Sequence, residues 1–466
     1  MIHVVLDTKN RVPHVTTQKS QARCLCHQEW IKINSGIIPM DKLRTKKEFH
    51  VSEFKLVMAL SEAADLICAE LGMHQMQVAY IAVRIGEILD LPGEQKNKLI
   101  MAGWLHDIGG LSLKERMDAL HFEEDGNFYR HAEIGCLLLQ SFEPLSDIAT
   151  LVRFHHVAWH HGDGSHFKGQ EVPRHSHIIH LADRVAVLIN KQKEVLGQSR
   201  TIFEKIEKLS GEVFVPEMVN ALKILKEEES FWFDIVSPSI DAILADKIRT
   251  KIIELNMDRL ISLSSIFSKI IDYRCKFTVT HSSGVAAVAK ALAKLVGFSE
   301  LECLMMEIAG YLHDLGKLAV PAEILEKPAK LTEEEYNVVR KHTYHTYNIL
   351  KQIDNLDVIA EWASLHHETL DGGGYPFKIK GQNFLLGSRI MAVADVFTAI
   401  TEDRPYRRGM TNEKAIGILQ TMVDSGKLDG YIVSLLKDRF EEVNSLRMAA
   451  QKVSTNEYQQ IMLTNA

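Results

Sequence analysis

The chain has 466 residues, 46% apolar and 25% charged, with a formal net charge of −7. That length is too great for one core, so two or three domains are expected, and the acidic balance argues against a broad basic face for duplex nucleic acid. Six cysteines without a CxxC pair argue against a cysteine zinc site or a disulfide framework, and no apolar run is long enough to span a bilayer. With no signal peptide either, the expected address is the cytoplasm, with no membrane partner.

Residues 1–50 read as a polar N-terminal tail, to which the pair Cys24 and Cys26 assigns no role. Residues 51–235 read as a first helical bundle. It carries His74, then His106 and Asp107 in AGWLHDIGG, His131, His155 and His156 in FHHVAWHHGDGSH, and Asp183. Residues 236–275 read as a helical linker, because its apolar residues recur at three- and four-residue steps. Residues 276–466 read as a second bundle. It carries His281, then His313, Asp314 and Lys317 in AGYLHDLGK, His342, His366 and His367 before GGGYP, and Asp395 before EDRPYRRG. Ser299 to Glu302 and Thr332 to Glu335 are capping boxes that open two of its helices. Gly316 and Pro321 suit a helix exit, GGGYP is a loop, and no long run alternates as a strand would. The fold class is all-α, two bundles in tandem.

The two bundles are copies. His281 follows His74 by 207 residues, as His313 follows His106 and Asp314 follows Asp107. His342, His366 and His367 follow His131, His155 and His156 by 211, and Asp395 follows Asp183 by 212. A repeat this long means duplicated domains rather than a solenoid.

The chain holds 22 histidines. A lone histidine is more often a satisfied core residue than a ligand, but a set joined to aspartates and repeated in order calls for another account. In the second copy, His281, His313, Asp314, His342, His366, His367 and Asp395 exceed what one tetrahedral ion needs and suit two ions. Imidazole and carboxylate favour first-row metals: Fe or Mn first, with Ni or Zn admissible. Asp314 is the natural bridge between them. Such a pair clamps in-line displacement at phosphorus and acidifies a bound water to hydroxide. Lys317 could aim at a phosphate oxygen, and Arg404 and Arg407 offer forked donors for phosphate or a guanine edge.

These residues carry a resemblance. HDLGK (313–317), VPAEILEKPAKLTEEE (320–335), KH (341–342), HHETLDGGGYP (366–376) and DVFTAITEDRPYR (395–407) resemble the HD-GYP domains of the HD phosphohydrolase superfamily. The resemblance implies two tandem HD-type bundles, the second being a phosphodiesterase that hydrolyses a cyclic dinucleotide to the linear dinucleotide. The substrate would be cyclic di-GMP or 3′,3′-cyclic GMP-AMP. It implies the seven residues above as metal ligands, His313, Asp314 and Lys317 at the chemistry, and Lys317, Tyr375, Arg404 and Arg407 at the substrate. Some members hold a third metal through a glutamate one turn before the first histidine. Phe277 stands there, so two ions are expected. A non-catalytic cyclic-dinucleotide sensor and a mononucleotide phosphohydrolase are the alternatives, and a homodimer is compatible with the sequence.

The first copy keeps every ligand type and lacks the substrate residues. Gly110 replaces the lysine, HHGDGSHF replaces the GYP loop, and Gln192 and Val195 stand where the second copy has arginines. It reads as a second metal site (His74, His106, Asp107, His131, His155, His156 and Asp183) without the same substrate. An idle regulatory domain, a phosphatase for another nucleotide and a purely structural half all remain open.

Overall fold

The structure is a computed structural model. It describes residues 49–67, 73–110, 129–248, 252–274, 279–327, 329–403 and 408–463, with single positions 112, 115 and 117. The tail before residue 49, Phe277, Arg404 and Arg407 lie outside the described residues. Helices dominate, and the strands among the described residues form two two-stranded pairs. No described helix is long and apolar enough to cross a membrane.

The elements that build the sites fall in matching order. In the first half they are β1 (Phe49–Ser52), α1 (Glu53–Asp65), α2 (His74–Ile88), α3 (Gly93–Leu105), α4 (Tyr129–Gln140), α5 (Ser146–Arg153) and α6 (Arg174–Val187). In the second they are β2 (Ile252–Leu255), α7 (Met257–Arg274), α8 (His281–Val296), α9 (Glu300–Leu312), α10 (Glu333–Lys351), α11 (Asp357–Ser364) and α12 (Leu386–Thr401). Ser299 and Thr332 each close a full capping box with Glu302 and Glu335, which fixes where α9 and α10 start.

Sequence periodicity reads the 236–275 linker as helical. Residues 252–255 are instead a strand, paired antiparallel with 49–52. The pairing partner lies about two hundred residues upstream, and no local pattern displays it. The helix after that strand, α7, packs on α9 within the second bundle.

Each half also lends its first helix to the other. Helix α1 packs on α3 of its own half and on α10 and residues 315–319 of the second, while α7 reaches α4 of the first. Equivalent ion pairs brace the two contacts: Lys55 to Asp354 at 2.6 Å and Arg259 to Glu143 at 2.8 Å. Apolar positions Leu56, Val57, Leu60, Ala63 and Ala64 put one buried stripe on α1. Each fully buried Leu or Val there contributes about 1.5–3 kcal/mol.

The repeated wrapping around His-Asp has a packing cause. A Cβ on Gly310 would lie 2.4 Å from the Ala286 Cα, and one on Gly103 would lie 2.7 Å from the Ala79 Cα. Glycine therefore lets α9 cross α8, and α3 cross α2, at backbone contact. The glycine after His-Asp serves the next turn: a Cβ on Gly109 would sit 2.1 Å from the His131 carbonyl oxygen, and one on Gly316 would collide with the His342 carbonyl.

Candidate functional site

Each helix of the second bundle delivers its ligand-type residue from an end or an inner face. His281 opens α8, His313 caps α9 with Asp314 following, and His342 lies inside α10. His366 and His367 follow α11, and Asp395 projects from the buried face of α12. All are buried except the half-buried His367. All seven converge. Asp314 Oδ2 lies 3.2 Å from His313 Nε2, and its Oδ1 lies 3.5 Å from His342 Nε2 and 3.8 Å from His366 Nε2. Asp395 Oδ1 lies 3.2 Å from His281 Nε2 and 3.9 Å from His313 Nε2. Asp314 therefore stands between two groups, His281–His313–Asp395 and His342–His366–His367.

The tautomers follow from the backbone. His313, His342 and His366 each place Nδ1 within 2.6–2.8 Å of the carbonyl three residues earlier. A carbonyl only accepts, so Nδ1 carries the proton and Nε2 presents a lone pair to the centre. Burial pushes His342 down to about 3 and His366 down to about 4, so both are neutral at pH 7. Their bare Nε2 atoms nevertheless lie 3.3 Å apart. His313 Nε2 and Asp314 Oδ1 are buried with no hydrogen-bond partner. Lone pairs converging in a dry site repel unless a cation lies between them, so this donor set fits divalent metal.

The surrounding groups tune the centre. Burial alone would raise the Asp314 carboxyl, but His313 and Lys317 hold it well below the usual carboxylate range. Lys317 Nζ lies 2.5 Å from Asp314 Oδ2. Burial opposes a charge on His281, yet Glu402 and Asp395 push it up to about 10. Glu402 Oε2 lies 3.2 Å from His281 Nδ1 and accepts from Gln451 at 3.2 Å. This carboxylate–histidine pairing was missed in the sequence, because Glu402 lies 121 residues from its partner.

Tyr375 stands at the edge of the centre, its ring 4.9 Å from His367. A cis peptide joins it to Pro376. The loop is anchored by Glu368, a second residue the sequence reading passed over. Its buried carboxylate accepts from the backbone of Phe377, Lys378 and Ile379 at 2.7, 3.0 and 3.1 Å. The only sequence signal was its place directly after the histidine pair.

The first bundle assembles the same cradle from its own seven residues. Asp107 Oδ1 lies 3.2 Å from His131 Nε2, Asp107 Oδ2 lies 3.4 Å from His106 Nε2, and Asp183 Oδ1 lies 3.2 Å from His74 Nε2. Asp107, His131, His155 and His156 could share one ion. His106 and His155 again turn Nδ1 to a carbonyl three residues back, at 2.8 and 2.6 Å. What differs is the surround. A buried Arg184 donates to Asp183 Oδ2 at 2.5 Å, where the second copy has Val396. Gly110 replaces Lys317, Val157 replaces Glu368 and Asn190 replaces Glu402.

Comparison with known proteins agrees with this duplicated geometry. Residues 71–188 and residues 265–432 each match a family described as HD domain. The chain is 29% identical over 410 residues to the 3′3′-cGAMP-specific phosphodiesterase 1 of Vibrio cholerae serotype O1, covering 86% of this chain and 95% of that protein. It is 40% identical over 157 residues to the cyclic di-GMP phosphodiesterase response regulator RpfG of Xanthomonas campestris pv. campestris, covering 33% of this chain and 42% of that one. The crystal structure of a cyclic GMP-AMP-specific phosphodiesterase of Vibrio cholerae (V-cGAP3) superposes with a TM-score of 0.58 at 21% identity, over 84% of this chain and 98% of that chain. The last of these speaks for the fold.

Proposed function

We propose that this chain, a protein of two HD domains, is a metal-dependent phosphodiesterase that opens a cyclic dinucleotide to the linear dinucleotide, with the chemistry in the second domain. The observation that supports the reading is the buried face of Asp314, His313, His342 and His366, whose converging lone pairs suit bound cations. His281, His313, Asp314 and Asp395 would hold one ion and His342, His366 and His367 the other, with Asp314 shared. The donor set favours Fe or Mn, with Ni or Zn admissible. When bound, such a pair neutralises charge at phosphorus and supplies an acidified water.

The chain's own residues do the rest. Lys317 holds Asp314 in place and brings a positive charge to the phosphodiester. Glu402 fixes the ring of His281 so that Nε2 faces the centre. Glu368 locks the loop that sets Tyr375 over His367, which keeps bulk water from that side of the site. Arg404 and Arg407 would meet the substrate's phosphate or base edge. The first domain keeps a metal cradle without these substrate groups, so we assign it metal binding but not this hydrolysis.

Of the two rings, 3′,3′-cyclic GMP-AMP is favoured over cyclic di-GMP. The likeness to the cGAMP-specific relative runs through both domains, whereas the RpfG likeness covers only a third of the chain. The test is turnover of both rings by the full chain supplied with Mn²⁺ or Fe²⁺, followed by chelation. Hydrolysis of cyclic GMP-AMP to a linear dinucleotide, lost on chelation, is expected. Binding of either ring without turnover under any metal would replace the enzyme with a sensor.

A further inference from the structure

We propose that Arg340 and Tyr336 of α10 form, with Tyr375, a guanine-reading wall beside the metal centre. The proposal deepens the function above and rests on it. From the centre outward, Tyr375 follows His367, and the Arg340 guanidinium lies 5.1 Å from the Tyr375 ring centre. The same guanidinium lies 6.0 Å from the ring of Tyr336, which stands edge-on to Tyr375 at 6.3 Å. Residues 336 and 340 are one helical turn apart, so both side chains face the same loop.

Two features mark these residues as a ligand surface rather than packing. Arg340 is half-buried, yet among the described residues it has no carboxylate partner. Its forked donors are therefore unspent, and the flanking rings hold the cation in place. Tyr336 is 43% exposed, so the face of its ring beside Tyr375 is open to a ligand. A purine is joined to its phosphate through one ribose. With a phosphodiester at the histidines, the base falls just beyond them, where Tyr375, Arg340 and Tyr336 stand. Guanine offers O6 and N7 as two acceptors to a forked guanidinium, while adenine offers a donor at N6 that arginine cannot satisfy. The wall would thus select a guanine for that position. At the offset that relates His342 to His131, the first copy has Tyr129 in place of Arg340, so it lacks the reader.

Arg340→Ala, Arg340→Lys and Tyr336→Ala should be assayed on the full metal-loaded chain with cyclic GMP-AMP and with bis(p-nitrophenyl) phosphate, a phosphodiester without a base. Cyclic di-AMP serves as a competing ring. Arg340→Ala should raise KM for cyclic GMP-AMP about tenfold, with a much smaller change in kcat. The loss on the base-free diester should be several times smaller, and cyclic di-AMP should compete about as well as against wild type. Lysine should rescue little, because it restores charge but not the fork. Tyr336→Ala should show the same pattern more weakly. Equal losses on both substrates would overturn the proposal, placing Arg340 at the metal centre or in folding. Full rescue by lysine, or an equal weakening of cyclic di-AMP, would overturn it in favour of a contact to the second phosphate. Wild type that cleaves the base-free diester but no ring would sink the proposed function itself, and the wall with it. A failure of the wall alone leaves wild-type ring turnover intact.

Discussion

The two halves share a metal cradle and differ in nearly everything around it. Both turn Nε2 of the His-Asp histidine inward by hydrogen-bonding Nδ1 to the helix backbone, at 2.8 Å for His106 and for His313. Both bring Asp107 or Asp314 between two histidine groups. The second adds Lys317 on that carboxylate, Glu402 behind His281 and Glu368 under the Tyr375 loop. The first instead seats Arg184 on Asp183. Cradle geometry is thus a property of the helices that both halves share, whereas the side chains we propose for substrate handling are present in the second half alone among the described residues.

The comparison can be broken at those side chains. The largest effect is expected from Lys317→Ala, which should lower kcat for the cyclic dinucleotide about 100-fold or more, as loss of one aligned donor to the reacting group does. Gly110→Lys in the first copy should restore nothing, because the anchored loop is also absent there. A gain of turnover by that variant in an Asp314→Ala background would show the first half to be one substitution from activity.

Glu402→Ala should come next. It should weaken metal binding at the second centre about 10- to 100-fold in a competitive metal titration. Asn190→Ala should leave the first centre's affinity as it is. Equal effects of the two would mean that Glu402 is not what distinguishes the halves at the first histidine.

Gly316→Ala and Gly109→Ala test what is shared. Each added methyl meets a histidine carbonyl, so both should destabilise, by about 1–3 kcal/mol, read by denaturant unfolding. A marked difference would show that the two cradles are not packed alike. The smallest effect belongs to the bracing ion pair. Lys55 and Asp354 are 47% and 41% exposed, so Lys55→Ala should cost less than about 1 kcal/mol.

The ligand-type residues of both cradles could be read from the sequence because they recur at near-constant offsets. The all-α class and both capping boxes were legible for a similar reason, since their signals are local. The features that separate the halves were not. Glu402 meets His281, and β1 meets β2, only after the chain has folded back on itself. Arg184 looks like an ordinary charged helix residue until its burial is known. The contacts of α1 and α7 with the opposite bundle likewise have no periodic signature, because the same buried stripe serves a helix packed on its own half or on both. Arg404, Arg407 and Phe277, on which the expected substrate contacts and the expectation of two ions rest, lie outside the described residues.

The most direct test of the account is cyclic GMP-AMP turnover by Asp314→Ala and Asp107→Ala, made in the full chain and assayed side by side with metal supplied. The account predicts that Asp314→Ala abolishes hydrolysis, while Asp107→Ala keeps it within a few-fold of wild type and loses only metal from the first half. Abolition by Asp107→Ala with Asp314→Ala still active would contradict the account and move the chemistry to the first half.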